Sequence, residues 1–257
     1  MSCFVYMSAQ LSKSATARPQ SASGMGCTGC AVRGLGFCRA WLDQGEGVSA
    51  PGLPVIAQIE KAMPARRLVF RATDRLDNVP VICAGWGAVT SYLPSGRRQI
   101  LSFPLPGEFV SPSLIFADGP ARDVEAVTQI RYRVFDRMAM REQITARPKL
   151  LERLFRDCFE EKERLAERVI DLGRRRAEER VARLVLDLMS RLGRHDLLRG
   201  KTIDFPLRQT HVADALGLTS VYIDQVLQNF RDNGIFEITD RSLTVLDPFK
   251  LNLVANR

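Results

Sequence analysis

Residues 209–228 constrain the fold of this chain more than any other stretch. Their sequence, QTHVADALGLTSVYIDQVLQ, begins with a helical run that Gly217 interrupts. Glycine adopts a left-handed backbone at almost no cost, so Gly217 suits a sharp turn between two helices. Thr219 is a good N-cap for the second helix, because its hydroxyl can accept a hydrogen bond from an amide of the first turn. The stretch therefore predicts a helix-turn-helix.

The second of these helices has two distinct faces. Its apolar residues recur at the i, i+3, i+4 and i+7 spacing of a buried face, and they are Ile223, Val226, Leu227 and Phe230. Ala213, four residues before Gly217, supplies the small side chain that two steeply crossing helices need. An ordinary helical hairpin is the alternative interpretation.

In a helix-turn-helix, the outward face of the second helix lies in the major groove of DNA. Outward positions of this helix, its N-cap and Gln209 at the start of the first helix are therefore predicted to contact DNA. They are Gln209, Thr219, Ser220, Val221, Tyr222, Asp224, Gln225, Gln228, Asn229 and Arg231.

Two short apolar segments follow the helix pair, at residues 235–238 and 243–246. The polar residues between them favour a tight turn, so the two segments are predicted to form a β-hairpin. Helix, turn, helix and hairpin make a winged helix-turn-helix, which we place at residues 174–257. An amphipathic helix, with apolar residues from Val181 to Leu188, is predicted to open this domain.

The overall composition agrees with a polyanionic partner. The formal net charge of the chain is +8, and a basic balance of this kind suits nucleic acid. No apolar run reaches the roughly 18 residues of a transmembrane helix, so we expect a cytoplasmic protein without a membrane partner.

His195 and His211 are the two histidines. No acid–base or nucleophile constellation accompanies them, so we do not expect an enzyme.

In the chain before the winged domain, the spacing of the apolar residues changes once. Residues 66–140 are predicted to form short strands with Gly and Pro breaks, which favours a small sandwich or barrel. From Pro148 the apolar residues recur every three or four positions, as in a coiled-coil seam. This pattern predicts a dimerisation helix at residues 146–173, and a helix packed on its own barrel is the alternative. The seam consists of Leu151, Phe155, Cys158, Leu165, Val169 and Leu172.

The N-terminal part of the chain contains a cysteine motif. Cys27, Cys30 and Cys38 have the spacing C-x2-C-x7-C in a glycine-rich segment. Thiolates suit an iron–sulfur cluster or zinc, and Cys83 is the nearest candidate for a fourth ligand. The alternative is a loop with uncoordinated thiols. Residues 1–26 are predicted to be a disordered tail.

A small β domain, a long helix and a winged helix-turn-helix, in this order, resemble the Crp/Fnr family of bacterial transcription regulators. The resemblance covers about residues 27–250 and is most specific at residues 84–109, 124–137 and 211–227. It implies an α+β fold with a cyclic-nucleotide-binding-like β-roll in a sensor domain at residues 27–145. It also implies a homodimer on a pseudo-palindromic double-stranded DNA operator, with RNA polymerase as a further partner.

The cysteine motif resembles that of the oxygen-sensing Fnr branch, which is dimeric while its [4Fe–4S] cluster is intact. That branch takes its fourth cysteine from the last strand of the roll. Here Arg133, or Tyr132, stands at that place. An arginine cannot replace a thiolate on iron, so Cys83 would have to serve from another strand, or the cluster is absent or changed.

The cyclic-AMP branch fits the sequence less well. Its phosphate site is a glycine–glutamate pair followed by an arginine–serine pair. Gly107 and Glu108 are present, but Arg122 is followed by Asp123, whose charge would repel a phosphate. No cyclic nucleotide is therefore expected.

The residues that would read DNA also depart from the resemblance. Val221 and Gln225 stand where family members commonly carry glutamate and arginine, which read cytosine and guanine. The leading hypothesis is a sequence-specific regulator that senses oxygen or redox state through the cysteine motif. The alternatives are a sensor domain that responds to another small ligand, to zinc or to nothing, and a winged helix that acts through protein contacts.

Overall fold

The computed structural model describes residues 59–120, 122–194 and 197–256 of the chain. The predicted tail at residues 1–26, the cysteines Cys27, Cys30 and Cys38, and His195 lie outside these ranges. The hypotheses that concern them therefore stay predictions.

A two-sheet β-roll occupies the first part of the described chain. Its strands are β1 (Ile59–Met63), β2 (Leu68–Phe70), β3 (Asn78–Ala84), β4 (Gly87–Tyr92), β5 (Arg98–Ser102), β6 (Asp123–Ala126) and β7 (Ile130–Asp136). One sheet has the order β1-β7-β3 and the other β2-β6-β4-β5, with antiparallel pairing throughout. Apolar side chains of both sheets, such as Phe70 and Tyr132, pack together between them. The predicted arrangement of short strands is confirmed, and β1 is a strand that the sequence pattern missed.

The strand region ends at Asp136, four residues earlier than predicted. The carboxylate of Asp136 accepts a hydrogen bond from the backbone N–H of Ala139, and it thereby caps a helix that the sequence analysis did not anticipate, α1 (Arg137–Thr145). A capping carboxylate stabilises a helix start because the first amides lack partners within the helix.

The helix predicted at residues 146–173 is present as α2 (Pro148–Arg174). Proline suits its first turn, where a missing N–H costs nothing. The first turns of α2 pack on the roll through Leu150 and Leu154, which share an apolar cluster with Val81 and Phe135. The helix continues past the predicted end at residue 173, and the extended backbone of Arg175 breaks it.

The winged domain follows the predicted order with two additions. Its elements are α3 (Ala177–Arg194), β8 (Thr202–Asp204), α4 (Gln209–Leu216), α5 (Ser220–Asp232), β9 (Phe236–Thr239), β10 (Ser242–Val245) and α6 (Pro248–Ala255). The predicted hairpin is β9–β10, and β8 adds a third strand in the order β8-β10-β9. Neither β8 nor α6 was predicted, because a three-residue strand and a two-turn helix are too short to show a clear period.

The winged domain packs directly on the roll. Trp86, Ile100 and Phe103 of the roll share one apolar cluster with Leu188 of α3 and Leu216 of α4. The core therefore continues across the boundary that the sequence analysis placed at residue 174. None of the described helices combines the length and the apolarity that a membrane crossing requires.

Candidate nucleic-acid interface

The turn between α4 and α5 has the geometry that the sequence predicts. Gly217 is in the left-handed region, at φ 64° and ψ 36°, and its N–H donates to the carbonyl of Ala213. The N–H of Leu218 donates to the same carbonyl at 3.0 Å. Thr219 caps α5, because its Oγ1 accepts a hydrogen bond from the N–H of Tyr222 at 3.2 Å. These contacts fix the angle between the two helices.

The inner face of α5 is held by the core of the domain. Ile223, Val226 and Phe230 are buried, and the ring of Phe230 stacks on Phe236 of β9 with centroids 4.7 Å apart. The outer face is therefore presented to solvent, and Val221 on this face is 71% exposed.

The residues predicted to contact DNA lie on this outer face or beside it. Ser220 is half-buried, and the others are exposed, namely Gln209, Thr219, Val221, Tyr222, Asp224, Gln225, Gln228, Asn229 and Arg231. The structure brings two of them together from different helices, since the Nε2 of Gln209 in α4 donates to the Oδ1 of Asp224 in α5.

Several of these side chains already bond to neighbours within the chain. Gln228 donates from Nε2 to Oδ1 of Asp232 at 2.8 Å, and its Oε1 accepts from Arg231. The side-chain amide of Asn233 donates to the side-chain Oδ1 of Asn229. Gln225 makes no side-chain hydrogen bond within the described part of the chain. Its carboxamide therefore keeps both its donors and its acceptor for a partner.

The wing carries a basic residue at its tip that the sequence analysis did not single out. Ser242 pairs with Thr239, which leaves Asp240 and Arg241 as a two-residue turn. Both have positive φ, 50° and 64°, as the favoured hairpin turns require. Arg241 is exposed and has the charge that a wing needs to contact phosphate.

Arg180 of α3 ties the long helix to the helix-turn-helix. Its guanidinium donates to the carbonyl of Leu172 at 3.1 Å and to that of Leu216 at 3.0 Å. These carbonyls lie in the last turns of α2 and α4, where the helix itself supplies no partner. Arg180 is thus a positioning residue that sequence reasoning missed, because its acceptors belong to distant parts of the chain.

Polar contacts also fix α4 to the roll. Arg98 of β5 pairs with Asp214 of α4, with Nη2 2.7 Å from Oδ2, and with Glu125 of β6 at 2.9 Å. The Nε2 of Gln99 donates to the carbonyl of Ala215 at 3.2 Å. The first helix of the helix-turn-helix is thus bound to the surface of the roll.

A buried arginine joins α3 to the loop after β5. Arg191 is 4% exposed, forms an ion pair with Glu108 and donates to the carbonyl of Phe103 at 2.6 Å. Burial alone would lower the pKa of Arg191, but the charges of Glu108 and Asp187 outweigh burial and raise that pKa. Glu108 is therefore held by the winged domain of its own chain.

The predicted seam lies on α2, on a side that the described chain leaves largely uncovered. Phe155 is 54% exposed and Val169 70%, and Cys158 and Leu165 are also exposed. Leu151 packs partly on the roll, and Leu172 lies beside Gly217. Two further exposed apolar residues of α2, Phe159 and Ile170, were not predicted. A spacing of about 3.5 residues does not match the 3.6 residues per turn of a straight helix. The apolar positions therefore shift around the helix along its length.

The structure places Cys83 beside the strand to which the resemblance assigns a fourth cysteine. Cys83 lies half-buried in β3, and its Sγ donates weakly to the carbonyl of Val81 at 3.7 Å. In the adjacent β7, Tyr132 and Arg133 are buried, and Arg133 donates to Glu60 at 2.9 Å. Among the described residues, no three metal-binding side chains form a group. The three N-terminal cysteines lie outside those residues, so the predicted ligand set is untested.

Comparison with families of known proteins matches both parts of the chain. The profile of the cyclic nucleotide-binding domain matches residues 60–147, and that of the Crp-like helix-turn-helix domain matches residues 179–254. The two matches coincide with the roll and with the winged domain.

The curated relatives are similar over most of their length. The transcriptional activatory protein AadR of Rhodopseudomonas palustris is 30% identical over 89% of this chain and 92% of its own. The nitrogen fixation regulation protein FixK of Bradyrhizobium diazoefficiens is 28% identical over 89% and 93%. The transcriptional activator protein FnrL of Cereibacter sphaeroides is 26% identical over 87% and 88%.

Solved structures share the fold. FixK2 from Bradyrhizobium japonicum has a TM-score of 0.69 at 21% identity, over 78% of this chain and 98% of its own. A transcriptional regulator of the CRP family from Thermus thermophilus has a TM-score of 0.61 at 20% identity, over 77% and 97%.

Proposed function

The chain belongs to the Crp/Fnr family and is a DNA-binding transcription regulator of that type, and we propose that it acts as a homodimer on a pseudo-palindromic operator. Its relatives and its fold are those of regulators rather than enzymes. Bacterial operators lie in the cytoplasm, where the protein would meet RNA polymerase.

The uncovered apolar stripe of α2 carries the proposal of a homodimer. The stripe consists of Phe155, Phe159, Leu165, Val169 and Ile170, all exposed in the single chain. Monomeric proteins rarely expose contiguous apolar surface of this kind. A second α2 is the natural cover, because an apolar repeat of about 3.5 residues pairs with a copy of itself.

Such a dimer would present two copies of α5 to one DNA duplex. In helix-turn-helix dimers, the two recognition helices contact half-sites about 34 Å apart, which is one turn of DNA. Arg180 supports this geometry, since it bonds α3 to the ends of both α2 and α4. The orientation of each helix-turn-helix is thereby linked to the helix that would form the dimer.

The test combines mass and DNA affinity. Light scattering should give about twice the 28.8 kDa of one chain. A duplex selected from a random library should be bound with an affinity that falls steeply as salt rises. A monomer that binds a half-site as tightly as a full operator would contradict the homodimer. Binding that is indifferent to salt would favour a winged helix that acts through protein contacts.

We further propose that DNA binding needs no cyclic nucleotide. The carboxylate of Glu108, which the family resemblance assigns to a nucleotide site, is paired with Arg191. Asp123 of β6 is a second carboxylate on the roll, and it accepts a hydrogen bond from the N–H of Ala72 at 2.8 Å. Its charge would repel the phosphate of a nucleotide. Titration with cyclic AMP should leave the operator affinity unchanged, and a rise of tenfold or more would contradict this proposal.

An oxygen or redox sensor based on iron and sulfur is the second candidate function. The C-x2-C-x7-C spacing favours it, and Cys83 lies in β3, next to β7. Arg133, with its ion pair to Glu60, does not fit the role of a ligand, so the described part of the roll offers Cys83 alone as a thiolate. Anaerobic purification followed by iron and sulfide analysis tests this candidate, and a colourless, iron-free protein that still binds DNA would eliminate it.

A further inference from the structure

Helix geometry defines which side chains lie at the centre of the outer face of α5. Each residue of an α-helix turns the side chain by about 100°, and the buried face of α5 is marked by Ile223, Val226 and Phe230. The positions directly opposite these three are Val221, Gln225, Gln228 and Asp232. A helix that enters the major groove with this face would direct those four side chains at the base edges.

The chain itself engages two of the four. Gln228 donates to Asp232 at 2.8 Å and accepts from Arg231, so its carboxamide is used at both ends. The neighbouring acid on the same helix, Asp224, accepts from Gln209 of α4. Val221 and Gln225 are the two central positions that remain for DNA. They also lie in the N-terminal half of α5, which is the half that contacts bases in helix-turn-helix proteins.

These two side chains have different and complementary chemistry. The carboxamide of glutamine can donate to N7 of adenine and accept from the N6 amino group of the same base, with both hydrogen bonds in one plane. An exposed aliphatic side chain such as Val221 can bury the 5-methyl group of thymine, which cytosine lacks. Residues at i and i+4 are about 6 Å apart along the helix axis, so the pair can contact neighbouring base pairs.

Charge on this face argues against guanine. Arginine and lysine are the usual readers of guanine O6 and N7, and neither occurs between Ser220 and Phe230 of α5. Arg231, the arginine at the end of the helix, donates to Gln228. Asp224 adds a negative charge beside Gln225.

We infer that Gln225 and Val221 read neighbouring A·T base pairs in each operator half-site, Gln225 through N6 and N7 of an adenine and Val221 through the methyl group of a thymine. This inference rests on the proposed function, because it requires that α5 enters the major groove. The operator of this protein would then carry A·T pairs at the positions where family members with glutamate and arginine require cytosine and guanine.

Modified bases test each contact separately. A high-affinity duplex is first selected from a random library with the full-length protein. Each adenine of a half-site is then replaced by 7-deazaadenine, which lacks N7, and each thymine by uracil, which lacks the methyl group. We expect one adenine at which the replacement weakens binding roughly tenfold, and a nearby thymine at which it weakens binding roughly fourfold.

Two variants assign these losses to residues. Gln225→Ala should bind the 7-deazaadenine duplex and its parent equally, yet keep the sensitivity to uracil. Val221→Ala should show the reverse pattern. Gln129→Ala is the matched control, because Gln129 is an exposed glutamine of the roll, and it should keep both sensitivities. Gln225→Glu, which preserves the shape of the side chain, should move the preference at that position from adenine towards cytosine.

The outcomes separate the inference from the proposed function. If the protein bound no duplex at any salt concentration, both would fail. If it bound a selected operator but Gln225→Ala kept the full sensitivity to 7-deazaadenine, or a G·C pair stood at the position read by Gln225, the inference alone would be wrong. Because Val221 and Gln225 are exposed, the variants should melt within a few degrees of the parent, which a thermal scan verifies.

Discussion

The guanidinium of Arg191 in α3 donates to both carboxylate oxygens of Glu108 in the roll, from Nε at 3.0 Å and from Nη2 at 2.5 Å. The two residues are 83 positions apart in the sequence. Asp187 and the carbonyl of Phe103 complete the surroundings of the guanidinium. This ion pair is the most deeply buried polar link between the roll and the winged domain among the described contacts.

Removal of the carboxylate should weaken the junction between the two domains. Glu108→Ala would leave the buried charge of Arg191 with Asp187 as its remaining ion-pair partner, and loss of one partner of a buried pair costs about 3 kcal/mol. Urea unfolding measures this loss. Glu152→Ala, which removes an exposed pair with Arg156, is the control and should cost less than about 1 kcal/mol. Equal losses in the two variants would show that the Arg191–Glu108 pair does not stabilise the junction.

The turn of the helix-turn-helix should not tolerate a side chain at Gly217. At φ 64° a non-glycine residue costs about 1–2 kcal/mol, and a Cβ would also lie 3.1 Å from the Cδ2 of Leu172. Gly217→Ala should therefore lower the unfolding free energy by at least that amount. Gly193→Ala is the matched control, since Gly193 lies within α3 with its nearest contact at 3.6 Å. That variant should be neutral or more stable by up to about 1 kcal/mol.

A charge in the apolar stripe of α2 should separate the proposed dimer. Val169→Asp places a carboxylate at a residue that is exposed in the single chain, and pairing of two chains would bury that carboxylate without a partner. We expect a monomer by light scattering and a loss of operator affinity of at least tenfold. Arg75→Ala changes the net charge by the same amount at an exposed residue of the roll, outside α2, and it should remain dimeric. A dimeric Val169→Asp protein would place the interface elsewhere.

The stability that the first turn of α4 gives the fold should depend on pH, because His211 caps this turn. Its Nδ1 accepts a hydrogen bond from the N–H of Arg208 at 3.1 Å, so this cap requires the neutral imidazole. Burial, and then the nearby charge of Arg98, lower the pKa of His211 in the folded protein. The unfolded chain therefore takes up the proton first, and stability should fall as the pH drops through the unfolded value of about 6.5.

Comparison with His211→Gln isolates this effect. Glutamine at the same position can keep the cap at any pH, so the variant should lose less thermal stability than the parent between pH 8 and pH 5.5. Melting temperatures across this range measure the difference. Carboxylates whose burial raises their pKa, such as Asp157 and Glu161, are common to both proteins and cancel. Parallel pH profiles would rule out a role for His211.

Base-reading and phosphate-contacting residues should differ in their effect on DNA binding. Gln225→Ala should relax the base preference at one position of the operator. Arg231→Ala should weaken binding to every sequence, and it should reduce the slope of log K against log salt by about 1. Binding isotherms on the selected operator and on a scrambled duplex, each at several salt concentrations, separate the two. If both variants lost affinity equally on every sequence, this division of roles would be wrong.

Much of the local structure could be predicted from the sequence because its causes are local. The left-handed Gly217, the Thr219 cap and the apolar spacing from Ile223 to Phe230 each act within a few residues, and all of them appear in the structure as predicted. The same holds for the short strands of the roll and for the helix α2. The prediction was weakest where an element is brief or rests on a single cap, as at β8 and at Asp136.

The sequence by itself determined the order of the main elements, the turn and cap of the helix-turn-helix, and three of the exposed apolar residues of α2, namely Phe155, Leu165 and Val169. Only the tertiary structure decided that α4 binds the roll through Arg98 and Asp214, and that Glu108 is taken by Arg191. The physical reason is range: periods and caps act over one or two turns of chain, whereas these contacts join groups 83 and 116 residues apart, and only the packed fold brings them together.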